Sequence, residues 1–168
     1  MKAEPMTVGF IFTNDLNFVL LIKKNRPDCQ KGLLNGIGGH VKASEFARGE
    51  YKEAWVREVK QETNLTIPID KIIQIGSMAV IGGGVTLPIY TYKLTVSGFS
   101  ETKQMDEPID WYAPLSLIHH DCHEDLHFFV PFARHMLKYA YKIEDSSRIE
   151  LHYKTRKVGV DGYKSYWE

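Results

Sequence analysis

Arg57-Glu58-Val59-Lys60-Gln61-Glu62-Thr63-Asn64-Leu65 places two glutamates and a glutamine on one helical face. Trp55, Val59 and Thr63 recur four apart with Ala54 beside them, so the spacing predicts an amphipathic helix over 50–63. Asn64 tolerates the left-handed cap that would end it, and Pro68 blocks continuation. On this helix Glu58, Gln61 and Glu62 stand at i, i+3 and i+4 and share a face. Carboxylates so close repel one another. Interspersed lysines would relieve them, and so would a divalent cation, because Mg²⁺ prefers carboxylate and phosphate oxygens. Arg57 can brace a carboxylate through a bidentate bond. A solvated charged helix would explain two glutamates by themselves. The glycines upstream shift the balance toward a site.

Those glycines lie in Gly32-Leu33-Leu34-Asn35-Gly36-Ile37-Gly38-Gly39-His40-Val41. Their density implies special backbone angles or close approach to the main chain. Before them, Met6 to Thr13 and Phe18 to Ile22 are apolar runs joined by Asn14-Asp15, which predicts a β-hairpin. After the helix, Ile72 to Ile81 and Val85 to Val96 read as strands joined at Gly82-Gly83-Gly84. Ser97 to Glu107 reads as a loop, and Trp111 to Leu115 as a short strand ending at Pro114. Phe128 to Lys142 has helical spacing, with Phe132, Met136, Tyr139 and Ala140 on one side. The segment 149–168 reads as a terminal strand or hairpin. Strands, helix, strands, helix is an α+β order, with helices packed on a mixed sheet.

The 168 residues suit a single domain spanning 1–168. Lys plus Arg equals Asp plus Glu, 21 of each, so no global basic field gathers nucleic acid. Long nucleic acid is therefore not an expected partner, and an anionic ligand needs a local site. Apolar runs are strand-sized, so no membrane span is expected. Cys29 and Cys122, with no secretory signal, read as reduced thiols of a cytoplasmic protein.

The residues from Gly38 to Leu65 resemble the signature of the Nudix hydrolase superfamily, G-x5-E-x7-R-E-U-x-E-E-x-G-U, in which U is bulky and aliphatic. Gly39, Glu45, Arg57, Glu58, Val59, Glu62 and Leu65 match its letters, and Gly38-Gly39-His40-Val41 is similar to the family's entry to the box. There are three departures. Eleven residues rather than seven separate Glu45 from Arg57, which reads as a longer loop before the helix, with Glu50 a rival for the early glutamate. Gln61 stands at a glutamate position, which removes a charge from the metal site. Asn64 replaces a glycine, the mildest change because Asn tolerates positive φ. The resemblance implies an α/β/α sandwich with a mixed central sheet and flanking helices, often dimeric. It implies hydrolysis of a pyrophosphate bond in a nucleotide substrate with Mg²⁺ or Mn²⁺. Glu58 and Glu62 would hold the metal, joined by Gln61, the Gly39 carbonyl and a later glutamate. That later residue is Glu107, with Glu101 behind it. Arg57, Glu58, Glu62 and Glu107 form the implied catalytic set.

Within the superfamily, Asn35-Gly36-Ile37-Gly38-Gly39-His40-Val41 resembles the MutT-like oxidised-purine nucleoside triphosphatases, in which the asparagine contacts the base. Asn35 offers a donor and acceptors to a purine edge, and is equally a turn-former before Gly36. Glu124 and Asp125, ahead of Phe128-Phe129-Val130-Pro131, are similar to that group's base-contacting acids, though Asp125 could serve only as a helix cap. Trp111 suits stacking on a base and suits a core equally. Gly38, Gly39, Asn35, Glu124, Asp125 and Trp111 are thus the expected substrate contacts. His119-His120-Asp121-Cys122-His123 has zinc-ligand residue types without zinc-ligand spacing, and reads as a loop. ADP-ribose, a dinucleotide or an RNA cap remain alternative substrates. A nucleotide-binding module with weakened catalysis is the reading Gln61 motivates.

Overall fold

Eight apolar or β-branched residues, Met6–Thr13, form β1, and seven of them are buried. Such a run has no solvent face, and the strand is accordingly paired on both edges. This is a computed structural model. It describes residues 4–82, 85–99, 102–103, 105–118, 129–130, 133–143, 149–158 and 162–167, with backbone alone for 80–82, 85, 149–158 and 162–167.

β1 runs parallel to β6 (Val85–Val96) along its whole length. Its other edge is shared. Residues 6–9 pair antiparallel with β4 (Ile37–His40), and Ile11 and Phe12 pair with Leu20 and Val19 of β2 (Val19–Lys23). β2 also carries β3 (Leu34–Asn35) and β7 (Ile109–Tyr112). Beyond β6 lie β5 (Ile73–Gly82), then the hairpin of β8 (Ile149–Val158) and β9 (Gly162–Trp167), with β5 and β8 parallel. Parallel and antiparallel pairs together make the sheet mixed, as expected, and the terminal hairpin forms.

Strand alternation sends side chains to two cores. On one face α2 (Tyr51–Thr63) sets Trp55 and Val59 against Ile11, Leu20, Ile22, Ile37, Tyr92 and Leu94. On the other, α4 (Ala133–Lys142) sets Ala133, Met136, Leu137 and Ala140 against Val8, Phe10, Phe12, Leu21, Met78 and Ile89. The result is an α/β/α sandwich. Trp55 is the pivot of its layer. Its indole N–H donates to the Ile37 carbonyl at 3.0 Å, and its ring stacks on Tyr92. Gly9 makes the room, since a Cβ there would sit 2.3 Å from the indole. On the opposite layer the buried Lys93 donates to the Ile143 carbonyl just past α4 at 2.6 Å.

Four sequence expectations need correction. The stretch ahead of α2 is not merely a longer loop: 43–48 fold into α1 (Ala43–Arg48), which ends at Gly49 with φ 70°. Pro114 does not close a strand. The strand stops at Tyr112, and Pro114 opens α3 (Pro114–Ile118), where its fixed φ suits a first turn. The late helix begins at Ala133 rather than Phe128, because Phe129 bridges to Leu34 and the Val130 N–H donates to the Leu34 carbonyl at 2.9 Å. Tyr139, expected on the core side of that helix, is exposed, and Leu137 is buried instead.

Candidate active site

α2 ends where Asn64 takes the left-handed conformation, φ 62°, and its amide donates to the Lys60 carbonyl. This fixes the rotation of the helix. With Trp55 and Val59 on the sheet, Glu58, Gln61 and Glu62 turn to one side, toward β4 and the loops after β2 and before β7. There they line a cleft of about 270 Å³ together with Ile22, Arg26, Asp106 and Glu107.

The glycines of β4 shape its inner wall by close approach, with no left-handed backbone at 36, 38 or 39. A Cβ on Gly39 would lie 2.6 Å from Glu58 Oε2, and one on Gly38 would lie 2.0 Å from the Thr7 carbonyl oxygen. The Gly38 N–H donates to Glu62 Oε2 at 3.0 Å. Glu62 is held partly out of water, and this desolvation lifts its carboxyl to about 7 against the opposing pull of the Gly38 amide and Lys24.

Arg57 organises the acids around it. Its Nε and one terminal nitrogen donate to the two oxygens of Glu45 at 2.8 and 2.9 Å. The same terminal nitrogen reaches the His40 carbonyl at 2.9 Å. The other donates to Glu58 Oε1, and to Gln61 Oε1 at 2.9 Å. Glu45 also accepts from the Lys42 amide, which ties the start of α1. Glu50 instead pairs with exposed Arg48, so the geometry joins Glu45, not Glu50, to the box arginine.

Glu107 enters the cleft from the segment before β7 and is 6% exposed. Lys24 Nζ donates to its Oε2 at 2.6 Å, and the amides of Asn25 and Arg26 donate to Oε1 at 2.5 and 3.3 Å. Burial would raise this carboxyl, but these donors outweigh it and hold it below its ordinary value. Lys24 and Arg26 were not singled out from sequence. Their signal was the basic cluster Lys23-Lys24-Asn25-Arg26 at the end of an apolar strand.

The other expected contacts lie elsewhere. Asn35 Oδ1 accepts from its neighbour, the Gly36 amide, at 2.9 Å. With Gly38, Thr7 and Ile89 it borders a small depression of about 20 Å³, whose Met6 and Val8 belong to the α4 side of the sheet. Trp111 packs at the margin of the α2-side core, edge-on to Phe99, outside the cleft lining. Glu101, Glu124, Asp125 and the histidine cluster with Cys122 lie outside the described residues.

Among the described residues, no three acid, histidine or cysteine side chains are already arranged as a metal cage. The donors facing the cleft, Glu58, Gln61 and Glu62, are all oxygen ligands, the kind a hard cation takes. A cation there would restore the charge that burial suppresses on Glu62, so the residues fit Mg²⁺.

An α/β/α sandwich with an acid-bearing helix set across a glycine strand defines a recurrent architecture. The structure of a MutT protein from Bacillus halodurans matches with a TM-score of 0.64 at 16% identity, over 97% of both chains. The NUDIX domain of Shewanella oneidensis NrtR, solved with ADP ribose, matches at 0.60 and 14% identity, over 83% of this chain and 88% of its own. A MutT/nudix family protein from Enterococcus faecalis matches at 0.55 and 17% identity. The match covers 67% of this chain and 44% of that one, so this chain spans under half of that relative. No family model and no curated protein sequence matches. The chain has the Nudix fold.

Proposed function

We propose that the protein hydrolyses a pyrophosphate bond in a nucleoside triphosphate or another nucleoside diphosphate-linked substrate, with Mg²⁺ as cofactor. The observation that carries this is the convergence of Glu58 and Glu62 on one cleft, backed by Gly38 and Gly39, within this fold. Mg²⁺, when bound, supplies charge to offset phosphate oxygens and acidifies water for attack on phosphorus. Glu58 and Glu62 would hold it, with Gln61 contributing an amide oxygen. Arg57 keeps Glu58 oriented. Arg26 adds positive charge at the cleft, where charge grows on the leaving phosphoryl group. Glu107 is assigned to hold Lys24, since its oxygens already accept from three donors. Asn35, in β3 beside the glycine strand, is assigned to a purine base, modified forms included.

The test is a panel of nucleoside triphosphates, oxidised purine forms, ADP-ribose and dinucleotides, incubated with Mg²⁺ and followed by product identification. Absence of phosphate, pyrophosphate or nucleotide release from every member would sink the proposal.

A second reading, a binding module with weakened catalysis, rests on Gln61, a neutral side chain at a glutamate position of the box, whose oxygen already accepts from Arg57. A Gln61→Glu variant rising from near-zero activity supports it. Wild-type turnover that is abolished in Glu62→Gln counts against it.

A further inference from the structure

Apart from the acidic cleft, the protein has a cavity of about 510 Å³ where α1 meets the start of β4's following turn and the near end of β6. Its walls are apolar: Pro5, Val41, Phe46, Pro88 and the ring of Tyr90. The aromatic wall turns a corner. Tyr90 stacks on Tyr51 with centroids 3.9 Å apart and planes at 16°, and Phe46 meets Tyr51 edge-on at 65°. Phe46 is 53% exposed, a large ring left in water at the pocket wall. Among the described residues of the lining, Glu4 is the one that carries a charge. Its carboxylate is 82% exposed at the rim, and His40 approaches it only to 4.0 Å.

This volume is that of a small-molecule site, and mostly apolar walls with a single placed charge are the usual composition of one. Two aromatic rings set at an angle, with a carboxylate at the rim, complement a cation on an apolar body. Ring faces attract such a cation, and the carboxylate neutralises it. The same charge disfavours a phosphate-bearing ligand. We propose that this pocket binds a small organic cation, an ammonium carried on an apolar or aromatic group. Its occupant would touch α1 at Phe46, one residue from Glu45 and its clamp on Arg57.

Benzyltrimethylammonium is the probe, benzyl alcohol its neutral comparator. The measurements are calorimetric titration and amide chemical shifts of the intact chain. The expected result is one site per chain, with the cation bound about fivefold more tightly than the alcohol, the size of one exposed cation–π contact. Shifts should cluster at Val41, Phe46 and Tyr90. Phe46→Ala and Glu4→Gln should each weaken the cation about fivefold. Both side chains are exposed, so neither change should alter the melting temperature. Equal affinity for the two probes would overturn the proposal. So would binding unchanged in Phe46→Ala, shifts centred on Glu58 and Glu62, or a sedimenting dimer that covers Phe46. None of these readouts depends on hydrolysis, so the pocket and the catalytic assignment stand or fall separately.

Discussion

Arg57 grips Glu45 by two parallel N–H···O bonds, 2.8 and 2.9 Å long, across twelve positions of chain and from one helix to another. The pair is shielded, with side chains 20% and 11% exposed. A planar fork on a carboxylate is a geometry lysine cannot copy. Arg57→Lys should therefore lower stability by about 2 kcal/mol, a charged hydrogen-bond partner being lost from a part-buried acid. It should also lower turnover, because Glu58 loses its brace. Glu45→Gln should act in the same direction. Glu50→Gln should leave the denaturation midpoint where it is, since among the described residues its side chain pairs with exposed Arg48 alone. A midpoint that moves for Glu50 and not for Glu45 would reverse the assignment.

The same clamp sets an acid limit. The Arg57 hydrogen bonds pull the Glu45 carboxyl below its ordinary value, overcoming burial. A folded value below the unfolded one means stabilisation that is complete above the ordinary glutamate range and fades as pH falls through it. Denaturant midpoints should drop between neutral and strongly acidic pH in the wild type. The difference curve against Glu45→Gln isolates this pair from other carboxylates. It should shrink as the pH falls below about 4, and a flat difference would mean the clamp carries no linkage.

How much of this was legible depended on the range of the interaction. The stripe Trp55, Val59, Thr63 and the cap at Asn64 are local, and the helix forms where the spacing puts it. The outward turn of Glu58 and Glu62 follows from that stripe alone. The strand run Met6–Thr13 was equally plain. Pro114 failed for a local reason, its fit to a first helical turn, and other failures were set by partners distant in sequence. Phe128 and its neighbours have helical spacing, yet Phe129 and Val130 are captured by Leu34 and the helix starts later. The choice between Glu45 and Glu50 could not be made by counting, because α1 folds the extra residues into a turn that returns Glu45 to Arg57. Glu107 was suggested by the resemblance, as a glutamate of the loop four residues before Trp111. Its partner Lys24 was not, since the two are 83 residues apart and only pairing of β2 with β7 unites them.

That partnership predicts a stability effect where a simple metal ligand would give none. Glu107 is buried and Lys24 is 16% exposed, and removing one member leaves the other charge without its partner in a dry place. Glu107→Gln should cost about 3 kcal/mol in urea denaturation without any metal present. Lys24→Met combined with it should cost clearly less than the sum of the two single changes, a coupling of about 1–3 kcal/mol. Additive losses, or a Glu107→Gln protein as stable as wild type, would show that Glu107 does not serve to hold Lys24.

Gly38 and Gly39 are adjacent, and the structure gives alanine at each a different fate. At Gly38 the new methyl would meet the Thr7 carbonyl oxygen at 2.0 Å, and both atoms belong to paired strands. Neither can yield without breaking the β1–β4 ladder, so Gly38→Ala should lose at least about 3 kcal/mol and melt early. At Gly39 the obstacle, 2.6 Å away, is the end of the Glu58 side chain, which can rotate aside. Gly39→Ala should therefore fold with a melting temperature near that of wild type. Its Glu58 carboxylate, displaced from the wall, should no longer sit where Glu62 can share a cation with it. Mg²⁺ at a hundred times its dissociation constant should stabilise the wild type by about 2.7 kcal/mol. It should stabilise Gly39→Ala far less, whatever the substrate proves to be. Equal stabilisation of the two proteins by Mg²⁺ would separate Glu58 from metal binding and leave Arg57 as the only reason for its position.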